Sequence, residues 1–250
     1  MIPKIIHYCW FGRGEKLNLV KKCIESWKKH CPDYQIIEWN EDNYDLASAP
    51  LFVRQAIEAK KWAFASDYIR YYVVYEHGGC YFDTDVEIIK SLDSFLLDSA
   101  FFGLEKVERY KIASGLGFGA EKGNNLLREL MELYEGIPFV DENGMEDRTP
   151  CSNREYPIFK KHGLRTDGTE QRLDDQTHIY PIDYFSPLDY RTCRLKRTKN
   201  TVAIHWYMLS WLSKEKRFLR RVRLNRLLYL VRNLLGEKRY EKLKKLLGKG

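Results

Sequence analysis

The sequence has no run of roughly 18 apolar residues, the length a helix needs to cross a bilayer. It also lacks the charged, apolar and cleavage regions of a signal peptide, since Met1 leads directly into the strand-like stretch Ile2 to Trp10. These two absences point to a chain made and kept in the cytosol. No Cys-x-x-Cys pair occurs, and no histidine stands at zinc-ligand spacing from a cysteine. Cys9, Cys23, Cys31, Cys80, Cys151 and Cys193 are scattered, which argues against a zinc site or a disulfide framework and for reduced thiols. No internal repeat or low-complexity segment is present, and no Gly-rich pyrophosphate loop follows the first strand at the usual spacing.

What is there suffices for one α/β domain: 250 residues, 44% of them hydrophobic, can bury a substantial core. The net charge of +7 is unevenly placed. Residues 214–250 hold 14 Lys/Arg against 3 Asp/Glu, a net +11, which leaves residues 1–213 at −4. The spacing of Leu224, Leu228, Val231 and Leu235 predicts an amphipathic basic helix, and Gly236 separates it from a second one carrying Tyr240, Leu243 and Leu247. Two readings of this helical hairpin stay open: it packs on its own domain, or it lies on an anionic membrane surface. The expected organisation is therefore a catalytic domain over 1–213 with a basic helical tail over 214–250. No nucleic-acid partner is expected.

Along the chain, Pro3 to Trp10 reads as a buried strand, followed by a helix to His30 and a second strand from Tyr34 to Trp39. Helices are expected from about Pro50 to Lys60 and from Ala63 to Glu76, the latter stopped by Gly78-Gly79. Cys80 to Ile89 is expected as one strand, then a strand near Ala100 to Leu104, the Gly-rich stretch Ser114 to Gly119, and helices near Asn124 to Tyr134 and Arg154 to His162. Residues 136–152 and 163–177 read as loops over a site, and Thr201 to Tyr207 as a strand.

The chemistry centres on Asp83-Thr84-Asp85. In a strand, Tyr81, Asp83 and Asp85 fall on one face, so both carboxylates can converge on one ligand. Carboxylates in an apolar strand are costly unless paired or bound to a cation, and such hard oxygen ligands suit Mg²⁺ or Mn²⁺. Asp67 and Arg70, three residues apart on a helix, share a face. A plain intrahelical ion pair accounts for them equally well. His205 on an apolar strand reads either as a hydrogen-bonded core residue or as a metal ligand.

The run Trp62-Ala63-Phe64-Ala65-Ser66-Asp67-Tyr68-Ile69-Arg70-Tyr71, followed by Gly78-Gly79-Cys80-Tyr81-Phe82-Asp83-Thr84-Asp85, resembles the Asp-x-Asp sugar-binding region of glycosyltransferase family 32. That family includes capsule and surface-polysaccharide transferases. The opening Ile2 to Trp10 and the late His205 to Trp211 match its pattern too. The resemblance implies a GT-A fold, a Rossmann-like mixed sheet flanked by helices. It implies retaining transfer of a hexose or N-acetylhexosamine from a nucleoside diphosphate sugar, with UDP favoured, to a hydroxyl of a polysaccharide or lipid-linked glycan.

By the same resemblance Asp83 and Asp85 hold the metal, with His205 completing it. Asp67 and Arg70 contact the donor sugar and its phosphate, and Tyr81 lines the pocket. Tyr8 and Trp10 hold the nucleobase, while Ser210 and Trp211 return to the diphosphate. A peripheral position on the inner membrane face follows if the tail binds lipid. The rival readings are a silent scaffold that keeps a transferase fold, and a metal-dependent nucleotide-sugar hydrolase or nucleotidyltransferase. Asp174-Asp175-Gln176 fits no motif.

Overall fold

A computed structural model describes residues 1–106, 109–189 and 194–208. The chain runs β1 (Ile5–Cys9), α1 (Asn18–His30), β2 (Gln35–Trp39), α2 (Leu51–Glu58), α3 (Trp62–His77), β3 (Gly79–Tyr81), β4 (Val86–Ile88), β5 (Ala100–Lys106), β6 (Tyr110–Ile112) and β7 (Phe118–Ala120). It continues through α4 (Asn125–Glu132), α5 (Cys151–Arg154), α6 (Tyr156–Lys161), β8 (Gln171–Arg172), β9 (His178–Tyr180), α7 (Ile182–Phe185) and β10 (Ala203–His205).

The main sheet has the order β2-β1-β3-β7-β5-β9-β8, with β6 added to β5. β1 is parallel to both β2 and β3, while β7 runs antiparallel to its neighbours β3 and β5. Consequently β1, β3 and β5 all end at the same edge, where open α/β sheets place their ligands. This is the mixed α/β architecture, a sheet flanked by helices, that the GT-A expectation requires.

Both faces of the sheet are covered, and adjacent residues show it. Phe102 packs into the core formed with α2, α3 and α4, whereas Phe101 packs into the core on the α1 face, because neighbouring strand residues point to opposite sides. Helix α1 buries Val20, Cys23 and Trp27, the stripe expected from its spacing. Helix α3 is apolar nearly all round, and every residue from Phe64 to Tyr71 is buried. It ends at Gly78, whose φ of +67° is a left-handed conformation. Gly79, at φ +107°, is pressed so closely on β1 that a Cβ would stand 2.8 Å from the Ile5 carbonyl oxygen.

One expectation is corrected. Cys80 to Ile89 is not one strand: β3 stops at Tyr81, the chain turns with the Val86 N–H donating to the Asp83 carbonyl at 3.0 Å, and β4 pairs with β10 in a separate two-stranded sheet. The helix expected near Arg154 to His162 is α6, Tyr156–Lys161, with Pro157 in its first turn where no N–H is needed, and the short α5 precedes it. The basic tail, with Ser210 and Trp211, lies outside the described residues. No described helix is long and apolar enough to cross a membrane.

Candidate active site

A cavity of about 540 Å³ opens at the carboxyl edge of β1, β3 and β5. Trp10, Gly12 and Gly14 after β1, Asp67 and Arg70 on α3, Tyr81, Asp83 and Asp85 at and after β3, and His205 on β10 all line it. The turn between β3 and β4 brings the carboxylates together, in place of strand alternation. Pairing of β10 with β4 sets His205 opposite Val86 and so beside Asp85.

Arg70 is the organising cation. Its guanidinium is buried, pairs with Asp67 at 2.9 Å and Asp83 at 3.4 Å, and donates from Nε to the Ser66 carbonyl at 3.1 Å and from Nη1 to the Ser114 hydroxyl at 2.9 Å. Ser114 passes the contact on, donating to Glu155 Oε1 at 3.0 Å. Asp67 and Arg70 are thus a buried pair aimed at the cavity, in an environment that screens charge far less than a helix surface does. Burial pushes the Asp67 carboxyl up to about 7, against the pull of Arg70. It also raises Asp83, whose side chain is 32% exposed and accepts from the Tyr81 hydroxyl at 3.1 Å.

Asp85 moves the other way. Burial alone would raise it, but His205 at 3.2 Å and the Met208 N–H at 2.6 Å hold it below the usual carboxylate range, and His205 rises in turn beside the carboxylate. Ligand atoms of Asp83, Asp85 and His205 all lie within 4.8 Å of one another. His205 Nδ1 is buried with no hydrogen-bond partner. Around Arg70 and His205 stand the carboxylates of Asp67, Asp83, Asp85 and Glu155, an excess of negative charge that a divalent cation would offset. The donor set, two carboxylates and an imidazole, fits such an ion.

Trp10 stands at the cavity rim, its indole N–H bonded to the Gly14 carbonyl at 2.8 Å and Lys16 over its ring at 5.4 Å. Tyr8 is elsewhere: its ring packs edge-on to Trp27 in the core and its hydroxyl donates to Glu38, so its side chain is not part of the cavity wall. Of the two segments read as loops over a site, 136–152 supplies Arg148 and Pro150 to the wall. Residues 163–177 lie away from it and carry β8 at the sheet edge. Asp174 there bonds His162 at 2.7 Å, and Asp175 caps the Thr177 N–H at 2.9 Å, an ordinary surface turn.

Several residues at the wall were given no site role in the sequence reading: Glu105, Lys111 and Gly115, with Ser114 and Glu155 behind them. The Gly-rich stretch Ser114 to Gly119 was the local signal for Ser114 and Gly115. Gly115 must be small because a Cβ there would meet the Asp83 carboxylate.

Residues 18–102 match the family model described as a glycosyltransferase sugar-binding region containing a DXD motif. The chain is 30% identical to inositol phosphoceramide mannosyltransferase 3 of Schizosaccharomyces pombe over 102 residues, 38% of this chain and 27% of that protein. It is 32% identical to inositol phosphoceramide mannosyltransferase 2 of the same organism over 103 residues, 38% of this chain and 28% of the other. The match thus spans little more than a quarter of those relatives' length.

Among solved structures, PaToxG glycosyltransferase is similar with a TM-score of 0.49 at 16% identity, covering 64% of this chain and 69% of that one. A glycosyltransferase involved in the glycosylation of the major capsid of PBCV-1 gives 0.46 at 12% identity, covering 86% and 97%. Asp67, Arg70, Asp83 and Asp85 all lie inside the segment that is similar to a glycosyltransferase sugar-binding region containing a DXD motif, and the fold assembles all four at one cavity.

Proposed function

We propose that the chain is a metal-dependent retaining glycosyltransferase that moves a hexose or N-acetylhexosamine from a nucleoside diphosphate sugar to a hydroxyl of a polysaccharide or lipid-linked glycan. The observation that carries this reading is the convergence of Asp83, Asp85 and His205 on one point beside the buried Asp67–Arg70 pair. A bound Mn²⁺ or Mg²⁺ supplies Lewis-acid neutralisation of the departing diphosphate.

The chain's own residues do the rest. Arg70, fixed by Ser66, Ser114 and Asp67, presents a rigid positive charge to the leaving group with no reorganisation at the moment of reaction. Asp67, facing the cavity, orients the hydroxyls of the donor sugar. Trp10 offers a flat surface for the base at the mouth of the cavity. In front-face attack the acceptor oxygen bonds the donor carbon as the bond to the diphosphate breaks, the hydroxyl proton passes to the departing phosphate oxygen on the same face, and configuration is retained without a covalent intermediate.

The names of the curated relatives add mannose to the sugars to test first, and a lipid-borne hydroxyl to the acceptors. Residues 214–250, with a net charge of +11, agree with work at the cytoplasmic face of a membrane. Loss of liposome binding on their deletion supports that role, and unchanged binding removes it.

The test of the activity is a donor panel. Purified protein with Mn²⁺ and UDP- and GDP-linked sugars, GDP-mannose included, is assayed for release of nucleoside diphosphate, with Asp83→Asn and Asp85→Asn in parallel. Turnover of one donor, abolished by chelator and by either substitution, establishes the reading. A folded protein that consumes no donor overturns it.

A further inference from the structure

The cavity is longer than the machinery assigned to it. In the strand order β1-β3-β7-β5, the ends of β1 and β5 are three spacings apart, roughly 14 Å at about 4.8 Å per strand. Trp10 stands beyond β1 and Asp83 and Asp85 beyond β3, which fills one half. At the far end stand Glu105, near the close of β5, and Lys111 on β6, both in the cavity wall.

Glu105 is only 7% exposed, yet its ammonium partner Lys111 is 4.0 Å away, at the limit of an ion pair. Lys111 makes its short contact with Asn153 Oδ1 at 3.0 Å, while the Ser152 hydroxyl hydrogen-bonds the Glu105 carboxylate and His205 lies within its electrostatic reach. A desolvated carboxylate with one hydroxyl bond and an ammonium at the limit of an ion pair has lone pairs beyond those two partners. Both side chains line the cavity wall, where a bound ring could reach them. A carboxylate and an ammonium side by side are suited to the neighbouring hydroxyls of a sugar ring, one accepting hydrogen bonds and the other donating them.

We propose, resting on the transferase reading, that Glu105 and Lys111 form the acceptor subsite. A donor with its base at Trp10 and its diphosphate at Asp83 and Asp85 fills the β1–β3 half, so the sugar that receives the transfer enters from β5. Glu105 binds its ring hydroxyls and sets the attacking one toward the donor carbon.

The probe is a panel of simple methyl glycosides added to the donor assay, with wild type, Glu105→Gln and Lys111→Met compared. Glu105→Gln is near-isosteric, and a thermal melt checks its fold. At least one glycoside should stimulate donor consumption saturably in wild type. Its KM should rise about tenfold or more in Glu105→Gln, the loss of one charged hydrogen bond, while the donor KM changes far less. An unchanged glycoside KM, or equal changes in both KM values, overturns the assignment. So does a wild type that consumes donor but responds to no glycoside. If no donor is consumed, the transferase reading has failed separately. Saturation-transfer NMR with the same glycosides then decides the subsite: binding lost in Glu105→Gln supports it, and equal binding or none in wild type sinks it.

Discussion

Gly115 and Asp83 are fitted to each other within the volume of a methyl group: a Cβ at 115 would fall 2.2 Å from Asp83 Oδ2, while the Gly115 carbonyl accepts the Asp83 N–H at 3.1 Å. The backbone bond fixes where Asp83 begins and the missing side chain leaves room for where it ends. Gly115→Ala must therefore push the carboxylate out of line with Asp85 and His205. Expected results are a stability loss of about 1–3 kcal/mol from overpacking and a weaker Mn²⁺ affinity, read by urea denaturation and by calorimetric titration. Unchanged metal affinity would show that Asp83 is not held as described.

The metal site has a test that needs no substrate. Mn²⁺ at about 100 times its Kd should stabilise the wild type by about 2.7 kcal/mol, and Asp85→Asn should lose most of that gain at the same concentration. Thermal melts with and without Mn²⁺, and with chelator, check both statements. A wild-type melt indifferent to Mn²⁺ and Mg²⁺ alike would remove the ion from the site.

Acid stability should depend on His7, which lies fully buried on β1. Its Nε2–H donates to the Gly78 carbonyl at 2.8 Å and its Nδ1 accepts from the Trp39 indole at 3.0 Å, an arrangement that requires the neutral ring. Burial brings its pKa down to about 4 from an ordinary 6.5. The unfolded chain takes up a proton below pH 6.5 and the native state does not, so this contribution is complete above 6.5 and is lost as pH falls toward 4. Relative to His7→Gln, the wild type should give up about 2 kcal/mol between pH 7.5 and 5. Parallel urea curves at the two pH values measure the difference, and an equal gap at both would refute it.

The chain of contacts from Arg70 through Ser114 to Glu155 should behave as a unit. Ser114→Ala strands a guanidinium N–H and a buried carboxylate oxygen together, at a cost of about 1–3 kcal/mol. In Ser114→Ala combined with Glu155→Gln the loss should be smaller than the two single losses added, since each breaks the same link. A double-mutant cycle by denaturant unfolding reports this directly, and strict additivity would mean that Ser114 does not couple the two.

Much of the fold was legible because local patterning and tertiary demand agreed. The stripe Val20, Cys23, Trp27 sits on the buried face of α1, and Gly78-Gly79 stops α3 where a left-handed backbone and close approach to β1 require glycine. Where they disagreed, the pattern misled. The apolar run from Cys80 to Ile89 reads as a single strand, but its two ends pair with different partners, β1 and β10, and pairing across the sheet is invisible to local periodicity. For Tyr8 the resemblance implied a nucleobase contact, whereas its strand-end position alone favours the core, and its ring packs there against Trp27.

The sequence by itself determined the charged cluster: Asp67, Arg70, Asp83 and Asp85 are set by residue type and short spacing, which a helix turn and a tight turn convert directly into proximity. Only the tertiary structure decided their company. Ser114, Gly115 and Glu155 reach Arg70 and Asp83 because β7 runs antiparallel beside β3, and His205 reaches Asp85 because β10 pairs with β4. Those contacts close loops of 30 to 120 residues, and their partners are selected by burial and sheet order, terms that no local stretch of sequence contains.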